Sequence, residues 1–336
     1  MNYIGSKLKL SSWIEEEVKN VVGDDLSQKV FCDLFAGTGI VGRTFKNDVK
    51  QVISNDIEDY SYILNRNYIQ NSSTLEQAEE YIIQLNNLPL IEDGFIYNNY
   101  CMGSGSERQY FSDYNGKKID TIRLQIEKWK TDKKINENMY YFLLASLLES
   151  ADKVANTASV YGAFLKKLKK SALKELALES ANFDLSSNKH VVHKEDSNTL
   201  IQKISGDILY LDPPYNQRQY GANYHLLNTI TKYDNFTPKG KTGMREYFRS
   251  QYCSKKDVAE SFNELIKNAN FKYIFLSYNN EGLMSEDTTR EIMENYGEYK
   301  LIKKEYQRFK ADKTENRNHK ANSTFEYLHV LIKKEL

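Results

Sequence analysis

The tetrad Asp212-Pro213-Pro214-Tyr215 carries more chemical potential than any other short stretch of the chain. It follows directly on the apolar run Ile208-Leu209-Tyr210-Leu211 and uses two of only four prolines. A Pro-Pro pair holds its neighbours extended and removes two backbone N–H donors. The carbonyls remain available as acceptors, and Asp212 adds a charged one. An amino group entering this corner meets acceptors only, while Tyr215 offers a flat ring for stacking. Those are the requirements of methylating an aromatic amine, whose nitrogen lone pair is delocalised into its ring and has to be drawn out toward the methyl group. Taken alone, the tetrad also has a plainer, less favoured reading as a rigid strand-end turn.

A second cluster is Asp33-Leu34-Phe35-Ala36-Gly37-Thr38-Gly39, at the end of the apolar run from Val30 to Phe35. Two glycines after a strand let the chain turn tightly and let a ligand approach the backbone. Gly42 follows Gly39 by three residues, but no phosphate-binding context accompanies it, so the turn is not read as a dinucleotide fingerprint. Asn55-Asp56 closes the next apolar run, Gln51 to Ser54, and an acidic residue there is placed to bind ribose hydroxyls. The pairing of glycine turn and acidic strand end favours a nucleoside cofactor.

These groups need a frame. A helix over Ser11 to Val21, the strand after it, a helix-like Ile40 to Phe45 and the strand at Gln51 to Ser54 open an alternating pattern, which argues for a parallel sheet covered by helices. From about Ile63 to Asn188 helical periodicity dominates, over Leu75 to Leu85, Ile119 to Trp129, Met139 to Asp152 and Leu165 to Glu179. Strand character returns at Val191 to His193, Ile208 to Leu211, Tyr273 to Tyr278 and Tyr327 to Ile332. The polar stretch Lys232 to Lys256 is too long for a simple connection and suggests a functional excursion. The expected organisation is a catalytic α/β domain from 1–64 and 189–336, an inserted mainly helical domain over 65–188, and a further contacting segment over 216–256.

Composition narrows the class. At 336 residues the chain can bury a substantial core. No run of 18 apolar residues is present, so no membrane span is expected, and Met1 to Leu10 lacks the apolar core of a secretory signal. Cys32, Cys101 and Cys253 are scattered and odd in number, which suggests neither a disulfide framework nor a zinc cluster, and fits a reducing cytoplasm. The five histidines have no metal-ligand spacing, and no metal is expected. Formal net charge is zero, so any polyanion would be met by a local basic face rather than by overall charge.

In order along the chain, Tyr3-x-Gly5-x-Lys7, Asp33-x-Phe35-x-Gly37-x-Gly39, Asp56, Glu195-Asp196 and Asp212-Pro213-Pro214-Tyr215 resemble the Dam-like, D12-class DNA N6-adenine methyltransferases over nearly the full length. The order is similar to that of their alpha group. The resemblance implies a Rossmann-like S-adenosylmethionine-dependent methyltransferase sheet with an inserted helical target-recognition domain. It implies that Tyr3 and Lys7 lie beside the methionine part of S-adenosylmethionine, that Asp33, Phe35, Gly37 and Gly39 cradle it, that Asp56 holds its ribose and that Asp196 meets its adenine edge. Asp212 and the Pro213 carbonyl would accept from the target amine, Pro214 would keep the corner rigid, and Tyr215 would stack on a base flipped out of duplex DNA. Ser197 stands where such enzymes often carry an aromatic residue. The length of Tyr220 to Lys256, with Asn156-Thr157-Ala158-Ser159-Val160-Tyr161-Gly162 and Arg317-Asn318-His319-Lys320, is similar to type II modification methylases acting on CATG. A bacterial enzyme of that kind works on DNA in the cytoplasm, and a cognate restriction endonuclease would act separately.

For DNA contact, three basic stretches stand out: Lys117 to Lys134, Lys166 to Lys174 and Lys239 to Lys256. Lys241, Arg245 and Arg249 within the glycine-containing third stretch, Arg108 beside Gln109, and Arg317 are the candidates for phosphate or base contacts. Competing readings are an N4-cytosine DNA or RNA adenine methyltransferase, a protein-amide methyltransferase, a non-catalytic DNA-binding subunit and a Rossmann oxidoreductase. A C5-cytosine enzyme is disfavoured, because it needs a Pro-Cys nucleophile and no cysteine follows a proline.

Overall fold

The computed structural model describes residues 7–307 and 323–334. The chain divides into two compact units. Among the described residues, one comprises 7–57, 186–219, 248–307 and 323–334, and the other 58–185 and 220–247.

The first is a sheet unit of seven strands: β1 (Val30–Asp33), β2 (Gln51–Asn55), β3 (Val191–His193), β4 (Ser205–Leu211), β5 (Asn270–Asn279), β6 (Gly297–Gln307) and β7 (Ser323–Lys333). Their order across the sheet is β3-β2-β1-β4-β5-β7-β6. The first five are parallel, with Asp33 in register with Ser54 on one side and Tyr210 on the other. Strands β5, β7 and β6 pair antiparallel. The parallel strands are apolar runs because helices cover both faces. Phe31, Cys32, Leu209, Leu211, Ile274 and Leu276 are fully buried, each large one contributing roughly 1.5–3 kcal/mol of transfer free energy. Helix Val258–Asn268 closes this core with Phe262, Leu265 and Ile266.

The charged alternation Gly-Glu-Tyr-Lys-Leu-Ile-Lys-Lys-Glu of β6 carries no strand signal of the apolar kind. It is an edge strand in an antiparallel pair, where lysines such as Lys300 and Lys304 are compatible with strand structure and discourage edge-to-edge association. Gly37, Gly39 and Gly42 in fact complete the G-x-G-x-x-G spacing. What separates this sheet from a dinucleotide-binding one, with its strand order 3-2-1-4-5-6, is the antiparallel β7 inserted between β5 and β6. The strand order reverses between β1 and β4, and open α/β sheets bind ligands at the carboxyl ends of the strands at that switch point.

The second unit is helical. Its long members are Asp113–Thr131 and Glu137–Val154, each with a side-chain N-cap, from Ser112 and Asn136. They bury Ile119, Ile122, Ile126, Leu143, Leu144 and Leu147 in one core. The stretch from Leu165 to Glu179 is not a helix. Buried and half-buried side chains on the neighbouring helices bond its backbone instead. Asn115 donates to the carbonyls of Ala172 and Lys174 and accepts from Leu176 N. Asn86 brackets Leu178 from both sides. Ser150 takes the Glu179 N–H and Ser146 that of Ala181. These tertiary bonds override a local helix preference.

The sequence placed the boundaries of the helical segment at 64/65 and 188/189, whereas the compact units divide at 57/58 and 185/186 and draw in 220–247. Helix Asp59–Asn65 is the reason: Tyr60, Ile63 and Leu64 join the helical core. Asn228 in helix His225–Lys232 accepts from Tyr60 N at 3.1 Å and donates to Glu58 at 2.6 Å. Within the sheet unit, the two ends of the 220–247 excursion are clamped by reciprocal bonds, Gln219 Nε2 to the Ser250 carbonyl and Ser250 N to Gln219 Oε1.

Candidate active site

The carboxyl ends of β1, β2 and β4 carry the expected site residues of the sheet unit. Asp33, the last residue of β1, is buried. Its Oδ2 accepts the Gly42 N–H at 3.1 Å, and its Oδ1 has no hydrogen-bond partner among the described residues. Burial first, and then the charge of Asp212, push its carboxyl up to about 8. The turn that follows takes left-handed φ at Gly37 (52°) and Gly39 (77°), a conformation that favours glycine. Gly37 N donates to Asp56 Oδ2 at 2.8 Å, so the acidic end of β2 also holds the glycine turn.

Asn55 staples the three loops. Its side chain donates to the carbonyls of Leu34 (3.2 Å) and Glu195 (3.1 Å) and accepts from Glu195 N (3.0 Å). Asp196, after β3, accepts from Thr199 N and thereby caps the short helix Ser197–Leu200. The ring of Phe35 meets Tyr252 edge-on at 5.0 Å, and the Tyr252 hydroxyl donates to Asn198.

Past the end of β4, Asp212 faces Lys7, whose Nζ is 3.2 Å from Oδ1. The same ammonium donates to Glu326 on β7 at 2.6 Å, and Glu326 also accepts from Ser277 on β5 at 2.6 Å. Burial raises the Asp212 carboxyl to about 6, with Lys7 pulling it down and Glu326 pushing it up. Burial works against the Lys7 ammonium, yet Asp212 and Glu326 together hold its pKa well above the usual lysine value. Pro213 is buried and Pro214 half-buried. Tyr215 is half-buried against the sheet core, its carbonyl accepting from Leu283 N. Among the described residues, Asp212 and Glu326 thus share the ammonium of Lys7 at this end of the sheet, with the buried Asp33 beside them. A buried carboxyl oxygen with no partner among the described residues, next to a half-buried carboxylate, suits a cationic ligand that donates hydrogen bonds.

Of the candidates for DNA contact, Arg108, Lys241 and Arg245 belong to the helical unit and Arg249 to the sheet unit. In the helical unit, Lys239 and Met244 pair by two backbone bonds around a tight loop in which Gly240 and Gly243 have φ of 68° and 69°. Arg108 donates to the carbonyls of Asn99 and Gly240, and Tyr100 donates to that of Gly243. A Cβ on Gly243 would sit 2.7 Å from the Tyr100 ring, so the close approach requires glycine. Arg245 is buried and forks onto Asp234 at 2.8 and 3.2 Å, lying over Phe236. The sequence assigned Arg245 and Arg108 to DNA, but their guanidinium groups bond this loop to the protein. Lys241 at the loop tip is exposed, and so is Arg249 in the sheet unit. Tyr3 and Arg317 lie outside the described residues. In the Asn156–Gly162 motif, Asn156 and Tyr161 are buried anchors: Asn156 bonds Gln109 and Leu165, and Tyr161 donates to Asp152.

Among the described residues no three histidine, cysteine or acidic side chains gather as a metal site, and no helix is long and apolar enough to cross a membrane. Sequence reading missed Glu326 and Ser277. The only trace they leave is a polar residue at a buried strand position.

A sheet of this order, with a glycine turn, acidic strand ends and an Asp-Pro-Pro-Tyr corner at its switch point, defines a methyltransferase acting on an amino group. Residues 3–292 match the D12 class N6 adenine-specific DNA methyltransferase family, and the chain belongs to it. It is 69% identical over 333 residues to Type II methyltransferase M.NlaIII of Neisseria lactamica, covering 99% of each chain. It is 39% identical over 316 residues to Type II methyltransferase M.CviAII of Paramecium bursaria Chlorella virus 1, covering 93% of each. With Type II methyltransferase M.FokI of Planomicrobium okeanokoites it shares 40% identity over 347 residues, across 99% of this chain and 53% of that one. The chain is therefore an adenine-specific DNA methyltransferase.

Proposed function

We propose that the protein transfers a methyl group from S-adenosylmethionine to N6 of an adenine flipped out of duplex DNA, at CATG, as the modification half of a type II restriction-modification pair. The observation that carries this reading is the half-buried Asp212 carboxylate at the end of β4, with the buried Asp33 at the neighbouring end of β1. S-adenosylmethionine fits these residues. It is a cation, and the buried Asp33 Oδ1, with no partner among the described residues, beside the half-buried Asp212 suits a positively charged hydrogen-bond donor. When bound, it supplies an electrophilic methyl carbon on a sulfonium.

The chain's own residues supply the rest. Asp33, Phe35, Gly37 and Gly39 cradle the donor, Asp56 takes the ribose, and Asp196 lies at its adenine edge. Tyr215 stacks on the flipped base. Asp212 and the Pro213 carbonyl accept the two N6 hydrogens, which localises the nitrogen lone pair and aims it outward. Most of the acceleration comes from alignment and fixed electrostatics. The helical unit serves as the target-recognition domain, with Lys241 toward DNA and Arg108 and Arg245 as positioning residues for the 239–244 loop, and Arg249 of the sheet unit also contacts DNA. CATG rests on the Asn156–Gly162 and Arg317–Lys320 motifs.

The test is tritiated S-adenosylmethionine with duplex oligonucleotides carrying CATG or its permutations. Label confined to CATG duplexes supports the assignment. Equal label on a permuted site overturns CATG, and no label on any duplex despite donor binding overturns the reaction. Asp56→Ala should weaken donor binding more than DNA binding, and the opposite ranking would refute its ribose role.

A further inference from the structure

Residue Glu326 lies 114 positions beyond the Asp-Pro-Pro-Tyr aspartate and outside the 3–292 family match. It sits on β7, opposite Asn279 of β5, and is buried. Both of its described bonds are to buried donors, Lys7 Nζ and Ser277 Oγ, each at 2.6 Å. Lys7 therefore has two carboxylates to choose between, and it lies nearer to Glu326 (2.6 Å) than to Asp212 (3.2 Å). Lys7 approaches Oδ1 of Asp212, and no donor among the described residues meets Oδ2. That oxygen is the acceptor the target amine needs.

We propose that Glu326 is a positioning residue for methyl transfer: by holding Lys7 it keeps the ammonium from closing over Asp212, so the carboxylate stays oriented but open to the amine. The proposal rests on Asp212 being the amine acceptor. Without the Glu326 charge, the buried ammonium has one anion left and moves onto it, since an unpaired buried charge is strongly disfavoured. Asp212 would then be occupied before substrate arrives. Among the described residues, the charged and titratable groups facing Asp212 are Lys7 ahead of the first helix, Glu326 on β7, Asp33 on β1, the Tyr210 hydroxyl on β4 and the Tyr215 hydroxyl after it, with neutral Ser277 from β5.

Glu326→Gln keeps the shape and an acceptor for Ser277. It should lower kcat roughly tenfold with little change in KM for DNA. It should also move the acid limb of the pH–rate profile down by roughly one unit, because a negative neighbour of Asp212 is gone. Lys7→Met should move that limb up. Carbon-13 carboxyl NMR on the full chain without donor or DNA, with Asp212 assigned through Asp212→Asn, should show the same two opposite displacements. Because Glu326 acts through Lys7, Glu326→Gln should cost almost nothing in kcat when made in Lys7→Met. This double variant carries no unpaired buried ammonium, so it reports even if Glu326→Gln alone folds poorly. An equal kcat loss in both backgrounds, or an Asp212 titration that Glu326→Gln does not move, overturns the proposal. The titration is read without substrate, so it stands or falls apart from the acceptor role, which the activity of Asp212→Ala reports.

Discussion

Both units bury charge, but in opposite ways. At the strand ends of the sheet unit Asp33 keeps an Oδ1 with no partner among the described residues, burial raises Asp33 and Asp212 to about 8 and about 6, and Lys7 is divided between two anions. In the helical unit, buried charged groups have fixed hydrogen-bond partners, although burial raises the Asp120 carboxyl to about 6 there as well. Arg245 forks onto Asp234, Arg123 donates to Glu127 and to the carbonyls of Ile230 and Thr231 at the end of helix His225–Lys232, and Asp120 receives the N–H groups of Ile96 and Tyr97 and the Tyr233 hydroxyl. Unmatched charge is the signature of a place that waits for ligand, and matched charge is that of a scaffold. An arginine in a basic stretch is thus weak evidence of DNA contact until its partners are known.

The contrast can be broken at several points. The largest expected effect is Asp212→Ala, which removes an acceptor used in the transition state. Methyl transfer should fall by roughly two to three orders of magnitude while the melting temperature is kept, measured by single-turnover label transfer and calorimetry. A kcat within a few-fold of the parent would place the chemistry elsewhere.

Arg245→Ala is the scaffold counterpart. Loss of a charge-assisted fork with one half-exposed partner should reduce stability by about 1–2 kcal/mol, read as a lower urea midpoint. The salt dependence of DNA binding should stay as it was. A salt slope lowered by about one would return Arg245 to the phosphate-contacting set.

Asp33 gives a pH-dependent test. A carboxyl whose folded pKa lies above its unfolded value binds an extra proton in the native state. Its cost is therefore absent below pH 4, grows from there to about 8, and is fully present above. Asp33→Asn should raise the melting temperature of the donor-free protein by a few degrees at pH 8 and hardly at all at pH 4, while weakening donor binding. Equal effects at both pH values would mean that the carboxylate is not destabilising in the folded state.

The smallest effect belongs to Lys241→Ala. At the exposed loop tip it should lower DNA affinity about equally across sequences and reduce the salt slope by about one, without altering stability. Unchanged binding would remove this loop from the DNA-facing surface.

The uneven legibility of the two units has the same physical origin. Asp33, Gly37, Gly39, Asp56 and Asp212 could be read because each sits within a few residues of the strand end that positions it. The parallel strands announce themselves because burial on two faces forces continuous apolar runs. Strand β6 was illegible because an exposed antiparallel edge tolerates lysine and glutamate. Leu165 to Glu179 looked helical because the bonds that hold it out of a helix come from Asn86, Asn115 and Ser150, far away in sequence. Glu326 was invisible for the same reason, since its partner Lys7 is 319 residues distant.

The most direct measurement is the identity of the product. Duplex DNA methylated by the purified protein would be digested to nucleosides and analysed by mass spectrometry. N6-methyladenine as the sole new nucleoside is the expected result. N4-methylcytosine, or methylation found only in RNA, would contradict the account of an adenine amine held at Asp212.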